Sequence, residues 1–130
     1  MSDLLDRIRD KHLVLMRRTL ATLGNILQST PPDWMLAYTD GPDGWTAVEV
    51  LGHLLDADRV FMRRVECLAQ ENYIQLEEFP HEELLAEGDY RHQHPADIYA
   101  ELTTSRQQFI ALFQSLTPEQ WEHVGEHPEY

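Results

Sequence analysis

The sequence is poor in cysteine and in long apolar stretches. Its one cysteine, Cys67, cannot form a disulfide within the chain, which is typical of a protein in a reducing compartment. The N-terminal residues are charged from Asp3 onward, without the apolar core of a signal peptide. The apolar run 13–16 is far shorter than the ~20 residues that a membrane-spanning helix needs. We therefore predict a cytoplasmic protein that does not act at a membrane.

Positive charge is also scarce, and its scarcity is uneven. Ten Lys and Arg face 23 Asp and Glu, a net charge of −13. Residues 1–65 hold nine acids and eight bases, whereas residues 66–130 hold fourteen acids and only Arg91 and Arg106 as bases. This balance excludes a binder of nucleic-acid phosphates, which needs many basic side chains. We interpret the acidic half as a solvated surface; a basic partner or a field that attracts metal ions are the alternatives.

Several signatures of fold and chemistry are missing. The chain has no glycine-rich phosphate loop, no Gly-x-Ser-x-Gly and no His-Glu-x-x-His. It also lacks paired strand patterns with a hairpin turn between them. Its 130 residues, 42% of them hydrophobic, suit one domain with its own core. We predict a single all-α domain over residues 1–130.

Three long amphipathic helices account for most of the sequence. The first covers about 3–28 and stops before two prolines. The second has the clearest start, because Thr46 and Glu49 form a capping box and Trp45 is placed to pack on Val50. Its predicted apolar stripe runs from Ala47 to Leu68, and we end the helix near Gln70. The third begins near Pro95, at a position that tolerates proline.

The connections carry their own signals. Residues 29–45 are rich in Pro, Gly and Asp, which predicts a loop. Its apolar residues indicate that this loop packs onto the helices; they are Trp34, Met35, Leu36 and Trp45. Residues 71–94 form a second, acidic connection, with a short helical turn expected at 81–87 and ended by Gly88.

His53 is the strongest candidate for chemistry. It lies at the edge of the apolar stripe of the second helix. An imidazole there serves as a hydrogen-bonded structural group or as a metal ligand. Asp56 and Asp58 follow within about a turn and could orient His53 or share a metal, although helix carboxylates are more often solvated. The residues alone leave these alternatives open.

The other candidates give weaker signals. His12 lies on the apolar side of the first helix, as a core-edge histidine. His92 and His94 could bring two rings together, but acidic loops also hold such histidines without a function. Cys67 has no activating base in its segment, so we expect a half-buried structural thiol. The remaining histidines lie in loop-like or terminal segments; they are His81, His123 and His127.

The stretch Gly-Trp-Thr-Ala-Val-Glu-Val-Leu-Gly-His-Leu-Leu-Asp-Ala-Asp, residues 44–58, resembles the second-helix opening of the DinB-like superfamily. That family combines Trp-[Ser/Thr], small residues, an acid and then [Gly/Ala]-His-Leu. Segments 116–121 and 127–130 resemble its third-helix end and the loop beyond, and Arg106 fits its arginine-bearing third helix. The resemblance extends over essentially the whole chain.

The resemblance implies an up-down-down-up four-helix bundle, usually dimeric, with three histidines holding a divalent metal such as Ni, Zn, Fe or Mn. His53 matches the first of these ligands. The other two come from a His-x-x-x-His on the fourth helix, after a His-Pro-x-[Tyr/Phe]-Gly turn. The given sequence stops at Tyr130, before that helix. We therefore expect three of four long helices here, a domain that continues beyond Tyr130, and a metal site that is incomplete in this chain.

Two functions from different classes follow. Relatives of this type include thiol-dependent transferases, a mycothiol-dependent isomerase and hydrolases, so the first is a divalent-metal-binding bundle. If it is an enzyme, it is a metal-dependent hydrolase or thiol S-transferase acting on a small molecule or small thiol. The second is a non-catalytic assembly module, whose apolar groove a homodimer would close. A weaker third idea is that the acidic segment 71–94 binds a basic partner.

Overall fold

Helices dominate the described part of the chain, residues 3–128 of a computed structural model. Three of the helices are long, as predicted, and they carry most of the residues. In chain order the helices and strands are α1 Asp3–Ser29, α2 Pro32–Ala37, α3 Ala47–Gln70, β1 Ile74–Gln75, α4 His81–Gly88, a 3-10 turn Tyr90–His92, α5 Pro95–Ser115, α6 Pro118–Trp121 and β2 Gly125–Glu126. Residues Glu129 and Tyr130 of the predicted terminal loop lie outside the described range.

The start of α3 is the one that local chemistry predicts. The Thr46 hydroxyl accepts from the Glu49 backbone N–H at 3.2 Å, and the Glu49 carboxylate accepts from the Thr46 backbone N–H at 3.0 Å. Both halves of the capping box are therefore present. Burial raises the pKa of Glu49, but the hydrogen bonds from Thr46 and Arg91 outweigh it and the pKa is lowered overall. The carboxylate form that caps the helix is thus favoured.

The connections hold more structure than the sequence predicted. The loop 29–45 contains the short helix α2, and within it Met35 is buried while Trp34 is 60% exposed. The loop therefore packs onto the helices as expected, through Met35, while Trp34 points to solvent. The expectation of no strand pairing is wrong among residues 3–128, since β1 and β2 pair in parallel with Ile74 opposite Gly125. Elements this short have no periodic pattern, which is why the sequence does not predict them.

The long helices pack around α5. Helix α5 lies against both α3 and α1, whereas α1 and α3 make few direct contacts. The main core joins these helices to the two connections; its buried members are Met35, Val48, Leu51, Leu55, Tyr90, Ile98 and Leu102. Between α1, α3 and α5 a cavity of about 530 Å³ remains, with mostly apolar walls.

The buried face of α3 is rotated from the predicted stripe. Val48, Leu51 and Leu55 are buried, while Val50 and Phe61 are 45% and 41% exposed. The apolar stripe predicted for this helix included both exposed residues. Hydrophobicity alone does not show which apolar side of α3 faces α5. Within residues 3–128, no helix has the length and the apolar character that crossing a bilayer requires.

Candidate functional site

His53 lies in a pocket of rings near the N-terminal end of α3. Its ring centre is 5.0 Å from that of Trp45, which directly precedes the cap of α3. Phe79 stacks on it at 5.4 Å, and the His81 ring stands nearly perpendicular to it at 6.0 Å. Trp45 was predicted to pack on Val50; its ring contact is with His53. Two separate segments, the loop before α3 and the start of α4, thus enclose His53.

The Nδ1 atom of His53 is buried and makes no hydrogen bond to any residue in 3–128. Burial lowers the pKa of His53 and the nearby His81 lowers it further, while Asp56 acts in the opposite direction. The neutral imidazole is therefore favoured, and this is the form that binds metals. The structural alternative predicted a hydrogen-bonded histidine, and the described residues supply no such bond to Nδ1.

Asp56 lies three residues after His53 and is only 7% exposed. Its Oδ1 accepts a 2.5 Å hydrogen bond from the Tyr90 hydroxyl, and its Oδ2 is buried without a partner in 3–128. Burial raises the pKa of Asp56, and the Tyr90 hydrogen bond opposes that rise. Burial and the same hydrogen bond raise the pKa of Tyr90, so its hydroxyl keeps its proton. Asp56 is therefore not the solvated helix carboxylate that the sequence left as the commoner case.

Tyr90 reaches Asp56 because two glycines make room for its ring. A Cβ atom on Gly52 or on Gly88 would overlap the Tyr90 side chain. Gly52 lies inside α3, where glycine is otherwise unfavourable, so this close approach explains it. Tyr90 was not predicted as a site residue. The one signal for it in the sequence is Gly52, directly before His53, since a glycine inside a helix indicates the close approach of a ring or backbone.

Asp58 serves a different part of the structure. Its carboxylate accepts from Nε and Nη2 of Arg106 at 3.0 and 2.8 Å. The Arg106 Nη1 also donates to the Met16 carbonyl at 3.0 Å, so this ion pair links α1, α3 and α5. Asp58 is 5% exposed, and it is neither solvated nor free to join His53. Arg106, noted in the sequence for its position, is a buried structural cation.

The weaker candidates lie in separate surroundings and do not form a common site. The His92 Nδ1 lies 2.6 Å from Oδ1 of Asp89, and the His94 Nδ1 accepts from the Ala96 backbone N–H at 3.2 Å. His92 and His94 therefore each have their own partner. His12 is exposed and lines the cavity between the long helices. Cys67 is exposed, so the expectation of a half-buried thiol is wrong.

The metal-ligand set is partial in the part of the chain that the structure describes. No three residues among the His, Cys, Asp and Glu of 3–128 are grouped as a metal site. His53 and His81 are the two imidazoles that approach each other, with Asp56 behind His53. The unpartnered Nδ1 and the neutral ring fit a metal-ligating histidine. Imidazole nitrogens are donors of the kind that Zn, Ni and Fe accept.

Comparison with known proteins gives two findings. The family model of the DinB superfamily matches residues 12–130. The solved structure of YfiT from Bacillus subtilis, described as a probable metal-dependent hydrolase with an unusual four-helix bundle topology, superposes with a TM-score of 0.84 at 21% identity. That match covers 99% of this chain and 71% of YfiT. No curated protein matches the chain. The likeness confirms the predicted DinB-like four-helix-bundle fold, of which α1, α3 and α5 are long helices.

Proposed function

The chain belongs to the DinB superfamily, and we propose that it binds a divalent metal ion through His53 and serves metal-dependent hydrolysis or thiol transfer. One observation carries the proposal. The Nδ1 of His53 is buried, unpartnered within residues 3–128, and surrounded by rings. Leaving a buried polar atom unsatisfied costs roughly 1–3 kcal/mol, and such groups often mark functional sites or bound ions. The description of YfiT as a probable metal-dependent hydrolase also supports the proposal of a bound metal ion.

The surrounding residues have distinct roles in this proposal. His53 would bind the metal through one ring nitrogen. Asp56 would orient the ring, because metal-ligating histidines usually donate their other N–H to a carboxylate or another acceptor. Tyr90 holds Asp56 in place through its hydroxyl. Trp45 and Phe79 cover the ring faces and keep water away from them.

The chemistry would follow from the metal when it is bound. A divalent ion with an open position lowers the pKa of bound water or binds a thiolate. Hydrolysis and transfer to a small thiol both fit that chemistry. Ni, Zn, Fe and Mn are the ions to test, because histidine nitrogen accepts all of them.

Metal binding by the full chain tests the proposal. We expect equilibrium dialysis against Zn²⁺, Ni²⁺, Mn²⁺ and Fe²⁺ to show about one bound ion for at least one metal. His53→Ala should weaken that binding at least tenfold, because it removes a ligand. His92→Ala is the matched control, since His92 is exposed and pairs with Asp89. Absence of binding, or equal binding by wild type and His53→Ala, would show that the proposal is wrong.

The cavity between α1 and α3 supports a second candidate, a non-catalytic module that assembles as a homodimer. Apolar residues on α1 flank it and are well exposed, among them Leu15 at 54% and Ile8 at 42%. A second copy would cover this surface. Sedimentation tests whether the protein is a monomer or a homodimer. A monomer of 15.2 kDa at all concentrations contradicts assembly and leaves the proposal of metal binding unaffected.

A further inference from the structure

We infer that His81 is a second protein ligand for the metal at His53, supplied by the connection between α3 and α5. The inference rests on the proposed function, because it requires a metal at His53. His81 is the first residue of α4, next to Pro80, and its side chain is exposed. No role was predicted for His81, because it lies in an acidic, loop-like segment.

The separation of the two rings suits a shared ion. Their centres are 6.0 Å apart and their planes meet at 83°. Two imidazoles on one metal, each with a metal–nitrogen bond of about 2.0–2.1 Å, have ring centres roughly 5 Å apart. His81 therefore needs to approach His53 by about 1 Å, which a side-chain rotation at an exposed position supplies. Its ring lies against those of His53 and Phe79, the latter with ring centres 6.0 Å apart.

The residues just before His81 hold this segment to α3. Phe79 stacks on His53 and meets the Phe61 ring at 5.9 Å. Two residues earlier, the Glu77 carboxylate accepts from Nε of Arg63 at 2.9 Å, and the Glu77 carbonyl accepts from Nε of Arg64 at 2.8 Å. These contacts place His81 over His53 before any metal binds, which lowers the entropy that binding must overcome.

The local charge favours a cation at this position. Glu82 and Glu83 follow His81 in the first turn of α4, and Glu87 lies close enough to influence Asp56. A cluster of carboxylates raises the local concentration of divalent ions, although it does not ligate them itself. The two imidazoles then supply the selective bonds.

A variant that keeps the ring and removes the nitrogens separates ligation from packing. In His81→Phe the contacts with His53 and Phe79 persist, but no metal ligand remains. Titration with Co²⁺, followed by its visible absorption, is the measurement. We expect His81→Phe to weaken Co²⁺ binding at least tenfold and to change the absorption spectrum. The control His92→Phe makes the same exchange at an exposed histidine of the same connection and should bind as wild type.

The outcomes distinguish this inference from the proposed function. If His53→Ala abolishes binding while His81→Phe binds as wild type, His81 is not a ligand and the metal at His53 stands. If neither variant changes binding, both ideas fail. If wild type binds no Co²⁺, the role of His81 fails, and dialysis against Zn²⁺, Ni²⁺, Mn²⁺ and Fe²⁺ tests the proposed function separately. Wild-type protein labelled with ¹⁵N-histidine gives a second measurement, independent of variant folding. Zn²⁺ should shift the ring nitrogens of both His53 and His81, and a shift at His53 alone overturns the role of His81.

Discussion

Removing one hydroxyl group, by Tyr90→Phe, tests the buried network behind His53. The Tyr90 hydroxyl is the donor to Asp56, and the two residues are 4% and 7% exposed. Without it, both carboxylate oxygens of Asp56 lack partners in the described structure, because Oδ2 already has none. The ring and its packing against Gly52 stay in place. The change therefore isolates a single hydrogen bond to a buried charge.

The expected loss depends on the charge of Asp56. A hydrogen bond to a charged group contributes roughly 1.5–3 kcal/mol and one between neutral groups roughly 0.5–1.5 kcal/mol. At neutral pH we expect Tyr90→Phe to lower the free energy of unfolding by about 2–3 kcal/mol. This corresponds to a urea midpoint lower by on the order of 1 M. Once Asp56 is protonated, the loss should shrink to about 1 kcal/mol.

The direction of the pH dependence follows from the raised pKa of Asp56. A group whose folded pKa exceeds its unfolded value contributes stability that is present below the unfolded pKa and is lost as pH rises through the folded pKa. Tyr90→Phe removes a hydrogen bond that lowers the Asp56 pKa, so the folded pKa rises further. Urea unfolding of wild type and variant between about pH 4 and about pH 8 should therefore show a destabilisation that grows with pH.

Tyr99→Phe is the matched control. Its hydroxyl donates to the neutral carbonyl of Leu20 at 2.9 Å, so we expect a loss of about 1 kcal/mol that does not change with pH. An equal, pH-independent loss for both tyrosine variants would show that Tyr90 does not stabilise a buried charge on Asp56. So would a loss below about 0.5 kcal/mol for Tyr90→Phe at neutral pH.

Two further substitutions test the packing around the site, both by urea unfolding. Arg106→Ala leaves Asp58 as a buried unpaired charge and should lower the free energy of unfolding by about 3–5 kcal/mol. The control Arg59→Ala breaks an exposed ion pair with Glu101 and should lower the free energy of unfolding by less than about 1 kcal/mol. Similar losses for the two variants would contradict the structural role of Arg106. Gly52→Ala should lower the free energy of unfolding by about 1–3 kcal/mol because its Cβ overlaps the Tyr90 ring. In a Tyr90→Ala background the same change should be neutral or stabilising, since alanine favours the helix; an equal loss in both backgrounds would rule out the overlap.

The elements that the sequence predicts well are those with local causes. Helix α3 begins after Thr46 because the capping box is made by residues three apart, and its end at Gln70 agrees with the prediction. The short helix at His81–Gly88 also agrees with the prediction, although the residue in the left-handed conformation that ends it is Asp89 and not Gly88. Helix α2 and the two-residue strands were missed, since so few residues carry no period.

In the candidate site, too, the residue with local signals was predicted and the residues brought in by tertiary contacts were not. His53 was selected from its position on α3 and from the resemblance of residues 44–58 to a known family. Its surroundings were not predicted, because Phe79 and His81 lie in a connection whose path depends on contacts with α3. Tyr90 was missed for the same reason: its partner Asp56 is distant in sequence. The metal, a thiol substrate, a homodimer and the cytoplasmic location stay predictions.

Local signals in the sequence are enough to predict the all-α class, the bounds of α1 and α3, the start of α5 and the family, because periodicity, caps and a short motif are encoded by neighbouring residues. Packing between distant segments assigns the buried face of α3 and the partner of each carboxylate. Asp56 and Asp58 are two residues apart, yet one meets Tyr90 and the other meets Arg106. Residues two apart on a helix point in directions about 200° apart, so the packing of neighbouring segments alone assigns their roles.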